Sequence, residues 1–197
     1  MRRNTRIVFG FFVGILALLA VVVYLFGQNI DTSDPSSETQ ANLDLLAFPI
    51  IEGTNLMLDE VTVPSDLNGN LKLIVVSYDN SQQPVVDEWL APLEETNSKF
   101  PELAGYYVPL LPKSAADSAL FIIGGMGLVA GNDENRARTI VVFTDVDKFN
   151  ELLDIADKNS VRLFLLDEEN NVVWQTSGAY SPDAIEDLEA ALTNLTQ

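Results

Sequence analysis

Residues 71–89 read LKLIVVSYDNSQQPVVDEW, and the rest of the chain is best read outward from them. Leu71 to Tyr78 is rich in β-branched residues and continuously apolar in its middle, as a strand buried on both faces should be. Asp79, Asn80 and Ser81 then offer short polar side chains able to cap a helix, and Pro84 suits the first helical turn. The helical pattern PVVDEWLAPLEETNSKF runs on to Phe100, with Val85, Trp89 and Leu93 on one face and a kink expected at Pro92. A buried strand that passes directly into a helix is the building unit of a layered α/β domain.

The flanking segments repeat the alternation. On the N-terminal side, Phe48 to Val63 reads as short extended pieces forming a hairpin around Glu52-Gly53-Thr54-Asn55, and Leu67-Asn68-Gly69 makes a further turn. On the C-terminal side, Gly105 to Leu111 reads as a strand, and Pro109 within it predicts an irregular or edge position. Ser114 to Ala130 begins polar and continues LFIIGGMGLVA. Its Gly125, Gly127 and Ala130 match only the loose glycine pattern of a phosphate cradle, without the Gly-Lys-Ser/Thr that would complete one. The run is also too short to cross a bilayer. A buried helix or strand with small residues at a close contact is therefore expected there. Thr139 to Phe143 is a strand, and Asp147 to Asp157 a helix with Phe149, Leu152, Leu153 and Ala156 at helical spacing. Val161 to Leu166 and Val172 to Gln175 are strands joined by a hairpin turn at Glu168–Asn171. Ser181-Pro182-Asp183 opens a last helix, with Ile185, Leu188, Leu192 and Leu195 as its stripe. Helices between strands imply crossovers covering both faces of a mixed sheet, so the expected architecture is a three-layer α/β sandwich.

Ahead of this domain, Ile7 to Phe26 reads IVFGFFVGILALLAVVVYLF, twenty residues without a charge. A helix of that length rises about 30 Å, the hydrocarbon thickness of a bilayer. No A-x-A cleavage pattern follows it, so residues 7–27 are read as an uncleaved transmembrane signal anchor rather than a removed secretory signal. Arg2, Arg3 and Arg6 precede the run and every acidic residue follows it, which places residues 1–6 in the cytoplasm by the positive-inside rule. Residues 28–42 are polar and rich in Ser, Thr, Asp and Asn, the composition of a flexible linker. Residues 43–197 are then the extracytoplasmic domain. Membrane lipid is an expected partner, through the N-terminal helix.

The net charge of the 197-residue chain is -18. Such an acidic surface is repelled by phosphate backbones, which argues against a nucleic-acid partner. The chain has no cysteine and no histidine. Disulfides, thiolate nucleophiles, imidazole bases and Cys or His metal ligands are thereby excluded. No acidic run of the calcium-loop type is present. No metal and no cofactor is expected.

The element order, with LIVVSYDNSQQPVVDEW at 73–89 and VRLFLLDEENNVVWQTSG at 161–178, resembles the thioredoxin-like superfamily in its peroxiredoxin and extracytoplasmic thiol-oxidoreductase branch. The resemblance covers Phe48 to Leu195. Its late part rests on Phe164-Leu165-Leu166-Asp167, Asn171-Val172-Val173-Trp174 and Gly178. The resemblance implies that the early strand leads to the position of a reactive cysteine or CxxC pair. Here that position reads Ser81-Gln82-Gln83-Pro84. Where the family carries a cis-proline before the late strand, this chain has Val161, or Ser160 in the adjacent register. None of these can supply a thiolate, so the redox role implied by the family is not transferred and no residue is assigned as catalytic. A weaker resemblance, carried by Leu166-Asp167, Val173-Trp174, Gly178 and Ala179, is to the mitochondrial assembly factor of the ATP synthase membrane sector. It would imply a chaperone for membrane-protein assembly.

Three functions are compatible with these readings. The first is a redox-inactive thioredoxin-like module on a tether, binding another membrane or extracytoplasmic protein. The second is an enzyme using Asp79, Ser81 and Asp87 at the strand–helix junction, although capping accounts for Asp79 and Ser81 and a solvated helix face for Asp87. The third is a ligand sensor with Trp89, Tyr106, Tyr107 and Trp174 around a pocket, against which stands the usual place of such aromatics in a core.

Overall fold

The structure, a computed structural model, describes residues 46–156 and 158–197. The anchor and linker expected at 7–27 and 28–42 lie outside these residues. Among the described residues no helix is long and apolar enough to cross a membrane.

Eight strands form one sheet in the order β1-β8-β7-β4-β5-β6-β2-β3. They are β1 (Leu46–Ala47), β2 (Ile51–Asn55), β3 (Glu60–Val63), β4 (Leu71–Ser77), β5 (Leu103–Pro112), β6 (Ile140–Thr144), β7 (Arg162–Leu166) and β8 (Asn171–Ser177). The helices are α1 (Gln83–Lys99), α2 (Ala119–Val129), α3 (Asp133–Arg138), α4 (Val146–Leu152) and α5 (Pro182–Leu195). The sheet is mixed. β4, β5 and β6 run parallel at its centre, joined by helical crossovers, whereas β7 lies antiparallel to β4 and pairs with β8 as a hairpin.

Alternation along the strands sends side chains to two faces. One face carries Leu73 and Val75 of β4 with Leu163 and Leu165 of β7, and is covered by Val86, Trp89 and Leu93 of α1 and by Leu188 and Leu192 of α5. The other carries Ile74, Val76, Val108, Leu110, Phe164 and Leu166, and is covered by Phe48, Val63 and Leu67 together with Phe149 and Leu153 from α4 and the segment after it. The expected three-layer sandwich with a mixed central sheet is therefore observed. Val86 rather than Val85 is the fully buried residue at the start of α1, while Val85 packs at the margin.

Several expectations are corrected. The hairpin turn is not at Glu52–Asn55, which lies within β2. It falls at Leu56–Asp59, where the Asn55 side-chain oxygen accepts from the backbone N–H groups of Met57 and Asp59 at 2.9 Å each. β2 then curls against β6. At Gly53 the approach is so close that a Cβ would lie 2.6 Å from Ile140 Cγ2 and 2.7 Å from Val142 Cγ2, so only glycine fits.

Pro109 does not mark an edge: β5 is central. The ladder with β4 ends at Ser77↔Pro109, and the ladder with β6 becomes continuous only from Leu110. A residue without an N–H is tolerated where hydrogen-bonded partners change. α4 ends at Leu152 rather than continuing to Asp157. Asp154 takes a left-handed φ of 51°, which buries Ile155 in place of the expected Ala156 and leaves Leu152 exposed.

The largest departure is α2. It was expected to be buried, yet only Ile123 on the helix and Ala130 just beyond it are, packing with Leu56 and Val141. Nothing lies within 4 Å of where a Cβ would stand on Gly124 or Gly125, so no close contact explains these glycines.

Candidate functional site

The carboxyl end of β4 and the start of α1 meet at Ser77–Asp87, the end of a parallel strand where open α/β sheets place ligands. Asp79 is extended and caps a 3-10 turn at Asn80–Gln82, accepting from the Ser81 backbone N–H at 2.7 Å and from the Ser81 hydroxyl. These two bonds hold the Asp79 carboxyl below its ordinary pKa, the hydroxyl contributing most. Both residues are exposed; Asp79 is the cap and Ser81 the residue it caps.

Gln82 behaves differently. It is buried, its Oε1 accepts from the Tyr78 backbone N–H at 2.8 Å, and its Nε2 donates to the Lys158 carbonyl at 3.1 Å. One side chain thus ties the end of β4 to the loop that precedes β7. Gln83 faces the α1 side, donating from Nε2 to Asp87 Oδ1 at 2.9 Å and accepting from the Tyr107 hydroxyl at 3.3 Å. The Tyr107 hydroxyl also lies 2.8 Å from Ser77 Oγ. A hydrogen-bonded run therefore links Ser77, Tyr107, Gln83 and Asp87. Burial pushes the Tyr107 phenol above its ordinary pKa, the Ser77 hydroxyl opposes this, and the Asp87 carboxylate adds to it. Tyr107 is thus a neutral hydrogen-bonding group at ordinary pH.

Pro84 occupies the first turn of α1 and is exposed. Val161 is buried among Leu163, Leu188 and the α1 residues, and its carbonyl accepts from the Gly178 N–H at 2.9 Å. The sole cis peptide bond among the described residues is Val63–Pro64, so neither Ser160 nor Val161 follows a cis bond. The aromatic set proposed for a pocket is not brought together. Tyr106 and Tyr107 point to opposite faces of β5. Trp89 is buried in the core, donating from Nε1 to the Gly178 carbonyl at 3.0 Å, and Trp174 packs at the edge of that same cluster.

Ser77 is the member of the junction that sequence reasoning missed, and Tyr107 was assigned to an aromatic pocket rather than to this junction. Their nearness depends on the parallel register Val75↔Tyr107 and Ser77↔Pro109, which no local pattern encodes. Two adjacent phenols, Tyr106 and Tyr107, in a strand of otherwise apolar residues were the available signal.

No family model matches the chain, and no curated protein matches it. Solved structures do. A SCO1/SenC family lipoprotein from Bacillus anthracis superposes with a TM-score of 0.54 at 15% identity, over 81% of this chain and 100% of its own. BsSco, a member of the Sco family of cytochrome c oxidase assembly proteins, gives 0.52 at 11% identity over 76% and 95%. The copper-bound ScoI of Arabidopsis thaliana gives 0.52 at 8% identity over 76% and 99%. The fold is thioredoxin-like. At these identities the thioredoxin-like likeness is one of architecture, and the resemblance of the closing stretch to the ATP synthase assembly factor gains no support from it.

Copper selects thiolate, thioether and imidazole donors. This thioredoxin-like chain has neither cysteine nor histidine, and its three methionines, Met1, Met57 and Met126, all fall outside 77–87. The Ser, Gln, Pro and Asp side chains of the junction do not fit a copper centre.

Proposed function

We propose that the chain is a redox-inactive thioredoxin-like module that binds another membrane or extracytoplasmic protein and acts in its assembly. In this reading residues 7–27 hold it to a membrane, residues 1–6 are cytoplasmic, and the domain from residue 43 onward lies on the far side. It is not an enzyme. The observation that carries the reading is Gln82, standing in the segment that corresponds to the family's reactive pair and engaged through both ends of its amide within the domain. The thiolate on which thioredoxin-like chemistry depends is absent from the whole sequence. Further support comes from the similar structures, which include a lipoprotein and a member of a family of oxidase assembly proteins. A membrane tether would raise the effective concentration of a nearby partner without strong contacts.

Two measurements test this. The purified chain, free of reductase, is expected to turn over neither insulin disulfides nor peroxide, and turnover of either overturns the redox-inactive assignment. Proximity labelling from the domain in its native membrane is expected to enrich a specific membrane or extracytoplasmic protein over a control holding residues 1–42 alone. Equal labelling by the two counts against the binding role.

A second reading, favoured by the run Ser77–Tyr107–Gln83–Asp87, is an enzyme or ligand sensor working with non-thiol groups at the same junction. Under it, a folded Asp79→Ala, Asp87→Ala double variant loses function. The first reading is preferred because Asp79, Gln82, Gln83 and Asp87 all have partners inside the domain.

A further inference from the structure

α2 is apolar around its whole circumference, and from Ser118 to Asn132 the chain carries no charge. The domain covers one side of it. On the other, Leu120 is 77% exposed, Phe121 84% and Leu128 86%, with Val129 beside them. Leu120 and Phe121 stand two turns before Leu128 and Val129, with the exposed Gly124 and Gly125 on the turn between, so all four fall on one side of the helix.

The patch extends onto a second element. The hairpin turn between β2 and β3 abuts α2, since Leu56 shares a cluster with Ile123 and its carbonyl lies 3.6 Å from where a Cβ would stand on Gly127. At that turn Met57 and Leu58 are also exposed. Leu58 holds a left-handed φ of 72°, strained for a leucine, and still shows its side chain to water. Exposed apolar side chains gathered on two adjoining elements mark an interaction site.

We infer that this patch, Leu120, Phe121, Leu128 and Val129 of α2 with Met57 and Leu58 of the adjoining turn, rests in the headgroup–acyl boundary of the lipid bilayer to which the chain is tethered. Its composition selects that occupant. Protein interfaces pair an apolar core with a polar rim and hydrogen bonds across it, whereas these six side chains carry no charge, hydroxyl or amide. A bilayer boundary demands apolar area and little shape complementarity. The tether brings it within range: the apolar run ends at Phe26 and β1 begins at Leu46. The intervening residues, 27–45, could reach at most about 65 Å, well beyond the roughly 15 Å radius of gyration of a domain of about 150 residues. The inference rests on the anchored reading for this proximity. The chain's net charge of -18 restricts the suitable membrane to one poor in anionic lipid.

Because the chain has no native cysteine, a single introduced one can be labelled uniquely. Full-length Phe121→Cys and a control, Glu186→Cys on exposed α5, would carry a nitroxide and be reconstituted in phosphatidylcholine vesicles. Circular dichroism would verify that both melt like the unsubstituted chain. The label at 121 is expected to be severalfold more accessible to oxygen than to a water-soluble nickel chelate, with the reverse at 186. Added phosphatidylglycerol should diminish the contrast, as should Leu120→Ser with Leu128→Ser in the labelled chain. A label at 121 that is as open to the chelate as the one at 186 overturns the inference. So does dipolar broadening between labels that persists in detergent, the sign of a second copy, or an immobilised label shielded from both reagents, the sign of a protein partner. Alkaline carbonate extraction of the same vesicles scores the anchor separately. A chain released by carbonate yet shielded at 121 keeps the patch and removes the anchor, and a chain retained but open at 121 does the opposite.

Discussion

Gln82 bridges two segments far apart in sequence, so shortening it isolates backbone groups in both. In Gln82→Ala the Tyr78 N–H loses its partner, and an unpaired buried donor costs about 1–3 kcal/mol. Urea unfolding is expected to show that loss in its midpoint with an unchanged slope. Asp79 gives a pH signature. Its folded pKa is depressed, so the stabilisation is present above the unfolded carboxyl value, about 3.9, and is lost as pH falls through the lower folded value. Asp79→Asn should therefore flatten the acid limb of a stability–pH curve by lowering the plateau above it, with no new pH dependence on the alkaline side. At this scale the capping role of Asp79 was legible, because its cap joins residues two apart. Gln82 was not, since its second partner, Lys158, comes alongside only when β4 and the loop before β7 are in place.

Among the elements, α2 shows how periodicity fails. A run that is apolar at every position looks like interior, because hydrophobicity without a period names no outward face. The helix instead lies at the sheet's margin with one side open. Its two adjacent glycines have no neighbours, so Gly124→Ala and Gly125→Ala are each expected to stabilise the domain by about 0.5–1 kcal/mol through helix propensity alone. Gly53→Ala should do the opposite and destabilise by about 1–3 kcal/mol, because its Cβ would collide with Ile140, Val142 and the Val141 carbonyl. Thermal melts of the three variants would separate the two kinds of glycine. The β7–β8 hairpin and the Ser181 cap of α5 were readable because turn and cap chemistry is local. The place of the β2–β3 turn was misread because Glu52-Gly53-Thr54-Asn55 looks like a turn. Gly53 is there for a long-range approach to β6.

For the whole molecule, the alternation of strands and helices was enough to specify three layers. The order of the strands was not readable, since β2 and β3 close the far side of the sheet beside β6, long after they have been written. The net charge of -18 acts on the molecule as a unit. Self-repulsion among carboxylates weakens the compact state and is screened over about 10 Å at 0.1 M salt. The melting temperature of the domain is expected to rise from low salt toward physiological ionic strength, and an invariant melt would show that the charges are already balanced locally. The two borders of the sheet have a further consequence. β1 is two residues long and β3 four, the latter beginning at an exposed glutamate. Borders this short, one of them opening on a charge, give a neighbouring chain almost no ladder of free N–H and C=O groups on which to add a strand. A population crowded onto one surface can therefore reach high local density without zipping together into fibrils.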